Sequence, residues 1–241
     1  MKNLLTTIIL LTVSISLMSQ AEEAWYVSAE SEMIFSFADI EAPNEYNAET
    51  VLRWSPVFNF AGHLNKDLTD NIGFNIGLAI RNVGFISDFD VESEDSDFNP
   101  DNINKMKFRT YNAGIPVGIK LGKLSQEKPF FLFAGYEVEF PFHYKQKEFD
   151  GGEKVNKRTA WFSDRVNPVQ QAVWGGIQFP QGFALKFKYY LDNFFNDDFD
   201  NFKSDEIIKD YELFNANVFY FSLEWFPFQH VDYYDSVLEG K

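Results

Sequence analysis

The stretch Asn215-Ala216-Asn217-Val218-Phe219-Tyr220-Phe221-Ser222-Leu223-Glu224-Trp225-Phe226 decides the fold. Phe219, Phe221, Leu223 and Trp225 share one face of an extended chain, and Tyr220, Ser222 and Glu224 share the other. Period-2 alternation rich in aromatic and β-branched residues predicts a half-buried β-strand. The apolar face is large and aromatic, while the opposite face carries an acid. A strand between hydrocarbon outside and a polar lumen inside has this pattern.

Seven further strands are predicted upstream, giving an all-β, eight-stranded antiparallel up-and-down barrel. They cover Trp25–Ala38, Leu52–Leu64, Ile72–Ile86, Met106–Leu121, Pro129–Tyr144, Val166–Phe179 and Phe183–Leu191. The seventh alternates most cleanly, with Phe183, Leu185, Phe187, Tyr189 and Leu191 opposite Ala184, Lys186, Lys188 and Tyr190. In the third, Phe74, Ile76, Leu78 and Ile80 oppose Gly73, Asn75, Gly77, Ala79 and Arg81, small or polar residues suited to a narrow lumen. The fifth places Glu137, Glu139 and His143 on its inner face. Pro56 lacks a backbone donor, so a bulge is expected in the second strand.

Connections alternate in length. Asn65–Asn71, Gly122–Lys128 and Pro180-Gln181-Gly182 read as short turns; Asp39–Thr50, Ser87–Lys105, Phe149–Asp164 and Asp192–Glu212 read as long loops. Short turns on the periplasmic side and long loops outside are the arrangement of an outer-membrane barrel. Closure is a physical need, because an unpaired backbone group in lipid costs several kcal/mol.

Lys2 precedes a largely apolar run, Leu4 to Met18, then Ser19-Gln20-Ala21 and Glu22-Glu23. This predicts a secretory signal peptide over 1–21, a barrel over 22–228 and a short tail over 229–241. The run is short for a membrane-spanning helix. The 241 residues include no Cys, so neither disulfides nor a thioether lipid anchor is available. Aromatics make up 18 % of the chain, yet there is no second long apolar run. Both facts follow if the apolar residues are distributed along alternating strands. A net charge of -15 disfavours nucleic acid as a partner.

On the strand pattern, the leader and the aromatic last strand Phe219 to Phe226, the chain resembles the small eight-stranded outer-membrane barrels. That class includes the OmpA transmembrane domain and OmpX, and the porin-like outer membrane protein β-barrel group of Bacteroidetes-type bacteria. The resemblance implies residence in a Gram-negative outer membrane, as a monomer among lipid and lipopolysaccharide. It also implies that the barrel assembly machinery reads the terminal aromatic strand. Pro227 to Lys241 departs from it, since the class usually stops at the aromatic.

The inner faces predict a lumen charge network of Glu30, Glu32, Glu137, Glu139 and Glu224 with Arg53, Arg81, Lys120, Lys186 and Lys188. Eight strands leave room only for side chains or one small ligand, and buried charges must pair. The expectation is a mostly plugged polar lumen and a structural or surface-interaction role through acidic outer loops. A narrow channel or small-solute binder is the alternative, and a lipid-modifying enzyme ranks below it. A soluble lipocalin-like barrel would turn the aromatics inward.

No catalytic residue, metal site or cofactor is assigned. His63, His143 and His230 lack a serine partner at strand spacing, and no glycine-flanked serine elbow appears. The acidic loops Asp88–Asp101 and Asp192–Glu206 lack regular calcium-loop spacing and read as solvated charge runs. Phe194, Phe195, Phe199 and Phe202 interleave with the second run, which fits a loop folded on the rim, a docking segment or an interfacial girdle.

Overall fold

The computed structural model describes residues 25–41, 47–90, 103–124, 129–199 and 215–232. Among these there is no helix, and a closed antiparallel ring of eight staves forms. The strands are β1 (Tyr26–Glu41), β2 (Asn47–Val51), β3 (Arg53–Ser55), β4 (Phe60–Thr69), β5 (Ile72–Asp90) and β6 (Lys105–Lys123). They continue as β7 (Phe130–Asp150), β8 (Glu153–Trp161), β9 (Gln170–Gln178), β10 (Phe183–Tyr190) and β11 (Asn215–Asp232). The ring closes where β1 pairs with β11, for example Phe35 with Phe221 and Ser36 with Tyr220.

The second predicted strand is broken rather than bulged. β1 pairs with β3 through Ile34–Ser55 and with β4 through Ser31–Phe60, so the two pieces belong to one stave. Pro56 cannot donate to the ladder, and Phe58 takes a positive φ of 63°. Asn59 fills the gap. Its side chain donates to the Ser55 carbonyl at 2.9 Å and accepts from the Asn82 N–H at 2.7 Å.

Several predicted boundaries move; the third predicted strand runs on from Ile86 to Asp90, and the sixth begins at Gln170 rather than Val166. The turn expected over Asn65–Asn71 contracts, because β4 runs to Thr69 and only Asp70 and Asn71 separate it from β5. The last strand continues past Phe226 to Asp232. The loop expected over Phe149–Asp164 is mostly a hairpin, with β7 turning into β8 through Gly151-Gly152. Both glycines have positive φ, 53° and 94°, which a two-residue hairpin turn with the right twist requires. β8 carries polar residues on both faces, so its period is invisible in the sequence.

A bulge also shifts the parity of β7. Asn112 pairs with Pro141 but Tyr111 pairs with His143, so Phe142 is the extra residue. Beyond it Tyr144, Gln146 and Glu148 face inward and are buried. His143, expected inside, lies on the outer face between Tyr111 and Trp161, with ring centroids at 5.6 and 4.9 Å.

Large apolar side chains cover the outside, including Leu78 at 73 % exposed and Trp225 at 70 %. A continuous apolar surface of this extent is matched by hydrocarbon, not water. Aromatics such as Phe60, Phe140, Phe183, Phe187, Phe221 and Trp225 therefore face outward, not inward as a lipocalin-like barrel requires. One part of the interior is apolar, which the expectation of a mostly plugged polar lumen did not include. At the long-connection end Val83, Phe85, Met106, Phe108, Phe194 and Phe195 form a dry cluster. Phe194 and Phe195 come from the β10–β11 connection and pack on Phe85 at 5.3 and 6.1 Å. Glu92–Asp101, Phe202, residues 1–21, expected to be a signal peptide, and most of the tail lie outside the described residues.

Candidate functional site

The interior is layered. Nearest the short turns, Lys120 of β6 donates to Asp67 of β4 and to the Tyr26 hydroxyl, each at 2.5 Å. Above this, the indole of Trp174 on β9 lies across the lumen. Gly118 and its cross-strand partner Gly135 make room for it: a Cβ at either would sit 2.2–2.3 Å from an atom of the indole or of the backbone.

The middle layer gathers charges from five strands, β1, β5, β7, β10 and β11. Arg81 on β5 is its hub. Its guanidinium meets Glu30 at 2.9 Å, Glu32 at 3.2 Å and Glu137 at 3.3 Å. Lys186 of β10 contacts Glu32 and Glu224 and lies 3.7 Å from Glu30. Lys188, two residues along, bridges Glu139 and Glu137, the latter at 2.6 Å. His63 Nε2 stands 3.2 Å from Glu30. Tyr190 donates to Glu139 at 2.8 Å, Tyr220 to Glu32 at 3.3 Å and Asn112 to Glu139 at 2.7 Å.

All of these charged groups are essentially removed from water. Strand alternation explains their convergence. Glu30 and Glu32, Glu137 and Glu139, and Lys186 and Lys188 are i, i+2 pairs, which project from one face of one strand. Glu30, Glu32 and Glu224 bring oxygens within 4.8 Å of one another, and the Lys186 ammonium lies among them as counter-ion. Asn112 and Tyr220 serve the Glu139 and Glu32 oxygens that the cations leave over, and Tyr190 shares Glu139 Oε1 with Lys188, as a buried network requires.

Eight of the ten residues expected in the network meet here; Arg53 and Lys120 do not. Arg53 lies apart, donating to the Asn82 carbonyl at 3.1 Å, and Lys120 belongs to the lower layer. His63, Tyr190, Tyr220 and Asn112 take part without having been assigned, and Asp67 joins Lys120 in the lower layer. Asp67 was hidden by the turn expected at 65–71, although carrying the alternation on from His63 and Asn65 points it inward.

A closed eight-stave ring, apolar outside and charged within, defines an outer-membrane barrel. The chain belongs to the outer membrane protein beta-barrel domain family, which matches residues 18–197. It is similar to Neisserial surface protein A at 9 % identity, over 83 % of this chain and 96 % of that one, with a TM-score of 0.31. It is also similar to Ail, the attachment invasion locus protein of Yersinia pestis, at 12 % identity, over 82 % of this chain and 97 % of that one, with a TM-score of 0.27. No curated protein matches it in sequence.

Proposed function

We propose that this outer-membrane barrel is closed to solutes, and that it acts as a structural or surface-interaction protein through its long outer connections. On this reading residues 1–21 are the export signal, and the mature chain is a monomer in contact with outer-leaflet lipid and lipopolysaccharide. The barrel assembly machinery is its partner during biogenesis.

The observation that carries the proposal is the Arg81 layer. One guanidinium reaches carboxylates on β1 and β7, from opposite sides of the ring. Lys186 and Lys188 tie β10 to both of those strands as well. A water file would have to part these contacts and then pass the Phe85–Phe194–Phe195 cluster. Parting a buried pair costs about 3–5 kcal/mol.

Planar bilayer recordings of the refolded full mature chain test this. No stable steady conductance is expected. A large, stable conductance would overturn the closed lumen and favour the narrow-channel alternative. The acidic runs between β5 and β6 and between β10 and β11 are the candidate surface-interaction segments. Loss of cell-surface binding on neutralising them, with barrel mobility unchanged, is the expected result.

A further inference from the structure

Seven of the chain's 21 Lys and Arg lie on one side of one three-stranded sheet. Where β6, β7 and β8 continue past the apolar band, Lys105, Lys107, Arg109, Lys145, Lys147, Lys154 and Lys157 share the outward face. The register shows the crowding directly. Lys107 pairs with Lys147, and Lys147 pairs with Lys157, so three lysines stand in a row across three strands. Arg109 pairs with Lys145 beside them. Like charges directly opposite in a sheet are destabilising.

Lys105 has a counter-charge, Asp88 at 3.3 Å. Among the described residues the other six enter no ion pair. Lys145 and Lys147 are held below the usual lysine range, first by partial burial and then by Arg109 and the neighbouring lysines. The chain carries 36 acids, so this separation of sign is a placement and not a composition effect.

The position of the patch selects its occupant. Immediately beneath it Tyr111, Phe142, His143 and Trp161 form an aromatic shelf, with Phe142 stacked on Trp161 at 6.1 Å. Arg109 lies over the Tyr111 ring at 4.4 Å. Such a shelf marks the membrane–water boundary. From Tyr111 to Lys105 the strand rises by roughly 20 Å. The basic face therefore looks sideways, at the height of the lipid headgroups, along the same side of the strands that meets hydrocarbon below.

We propose that this face docks the phosphorylated headgroup of an outer-leaflet glycolipid, its phosphates set against the Lys107–Lys147–Lys157 row. Phosphate oxygens supply the compact negative charge the row lacks. The glycolipid's acyl chains would lie along the exposed apolar side chains directly below, such as Ile115, Val117 and Phe140. This rests on the membrane-barrel reading and deepens its lipid partner.

The test places the full mature chain in phosphatidylcholine nanodiscs containing diphosphoryl lipid A, dephosphorylated lipid A or neither. Lysine acylation is then read residue by residue by mass spectrometry. Protection of Lys107, Lys147 and Lys157 by diphosphoryl lipid A alone is expected. The variant K107Q/K147Q/K157Q should bind that lipid roughly 100-fold more weakly, at about 1 kcal/mol per lysine. Equal protection by the dephosphorylated lipid, or none by either, would overturn the proposal. So would heparin protecting these lysines while lipid A leaves them reactive, which would reassign the face to a sulfated polysaccharide. If the variant does not fold, the wild-type footprint still decides. Heat-modifiable gel mobility separates the two readings: a chain that shows none and dissolves without detergent would remove the membrane barrel itself.

Discussion

The interior layer around Arg81 and the outer face around Lys147 use the same charged groups in opposite ways. Inside, signs alternate in space: Arg81, Lys186 and Lys188 each touch at least two carboxylates. Outside, three lysines face one another in register with no acid between them. Water explains why both can exist. A buried charge without a partner is intolerable, so the interior must be matched, whereas a solvated surface tolerates imbalance and can hold it ready for a ligand.

The comparison predicts opposite signs for removing one cation. Arg81→Met takes one cation from beside three glutamates, leaving Lys186 and Lys188 to serve them alone, and should lower stability by about 3–5 kcal/mol. Urea titration of refolded barrel, read by heat-modifiable mobility, measures it, and a loss below about 1 kcal/mol would mean that the interior is wet. Phe194→Ala combined with Phe195→Ala leaves the charge layer intact but empties the apolar cap. A loss of about 3–5 kcal/mol is expected for each ring fully removed from a packed core. Brief conductance events in bilayer recordings should accompany it.

On the outer sheet the effect should reverse. Lys147→Gln in a detergent free of anionic lipid should raise stability by about 0.2–1 kcal/mol, because it relieves two cross-strand repulsions. A fall of similar size would show that the row is already compensated.

The smallest effect is with pH. Lys145 and Lys147 are depressed from their ordinary value of 10.5. The unfolded chain then binds more protons than the folded sheet between the depressed values and 10.5, so stability rises with pH across that window. Melting in detergent should show a shallow rise there. Lys147→Gln should flatten it.

Sequence periodicity reached the architecture because the lipid face is an unforgiving selector. β10 and β11 alternate without a break, and the inner rows of Glu30 and Glu32, Arg81 and Lys186 and Lys188 could be read two residues at a time. What escaped was whatever resets the count. The Phe142 bulge moved His143 outside; its one local mark is Pro141 beside it, which like Pro56 cannot donate to a ladder. Gly151-Gly152 is a hairpin signal, but the polar β8 gave it no second strand to join. Phe194 and Phe195 sit among acids and asparagines in sequence. Only their distance from Phe85 reveals that they cap the lumen.

The seam between β1 and β11 has a consequence for biogenesis. The first and last strands of the barrel are each other's neighbours, so the wall cannot be sealed while the ribosome is still making the final segment. Every shorter intermediate carries two raw edges with unsatisfied amides, and in a lipid bilayer those edges have no solvent. On the outer-membrane reading proposed above, the polypeptide would enter the membrane late, as a nearly complete cylinder. A chain truncated before Asn215 should be unable to seal that cylinder.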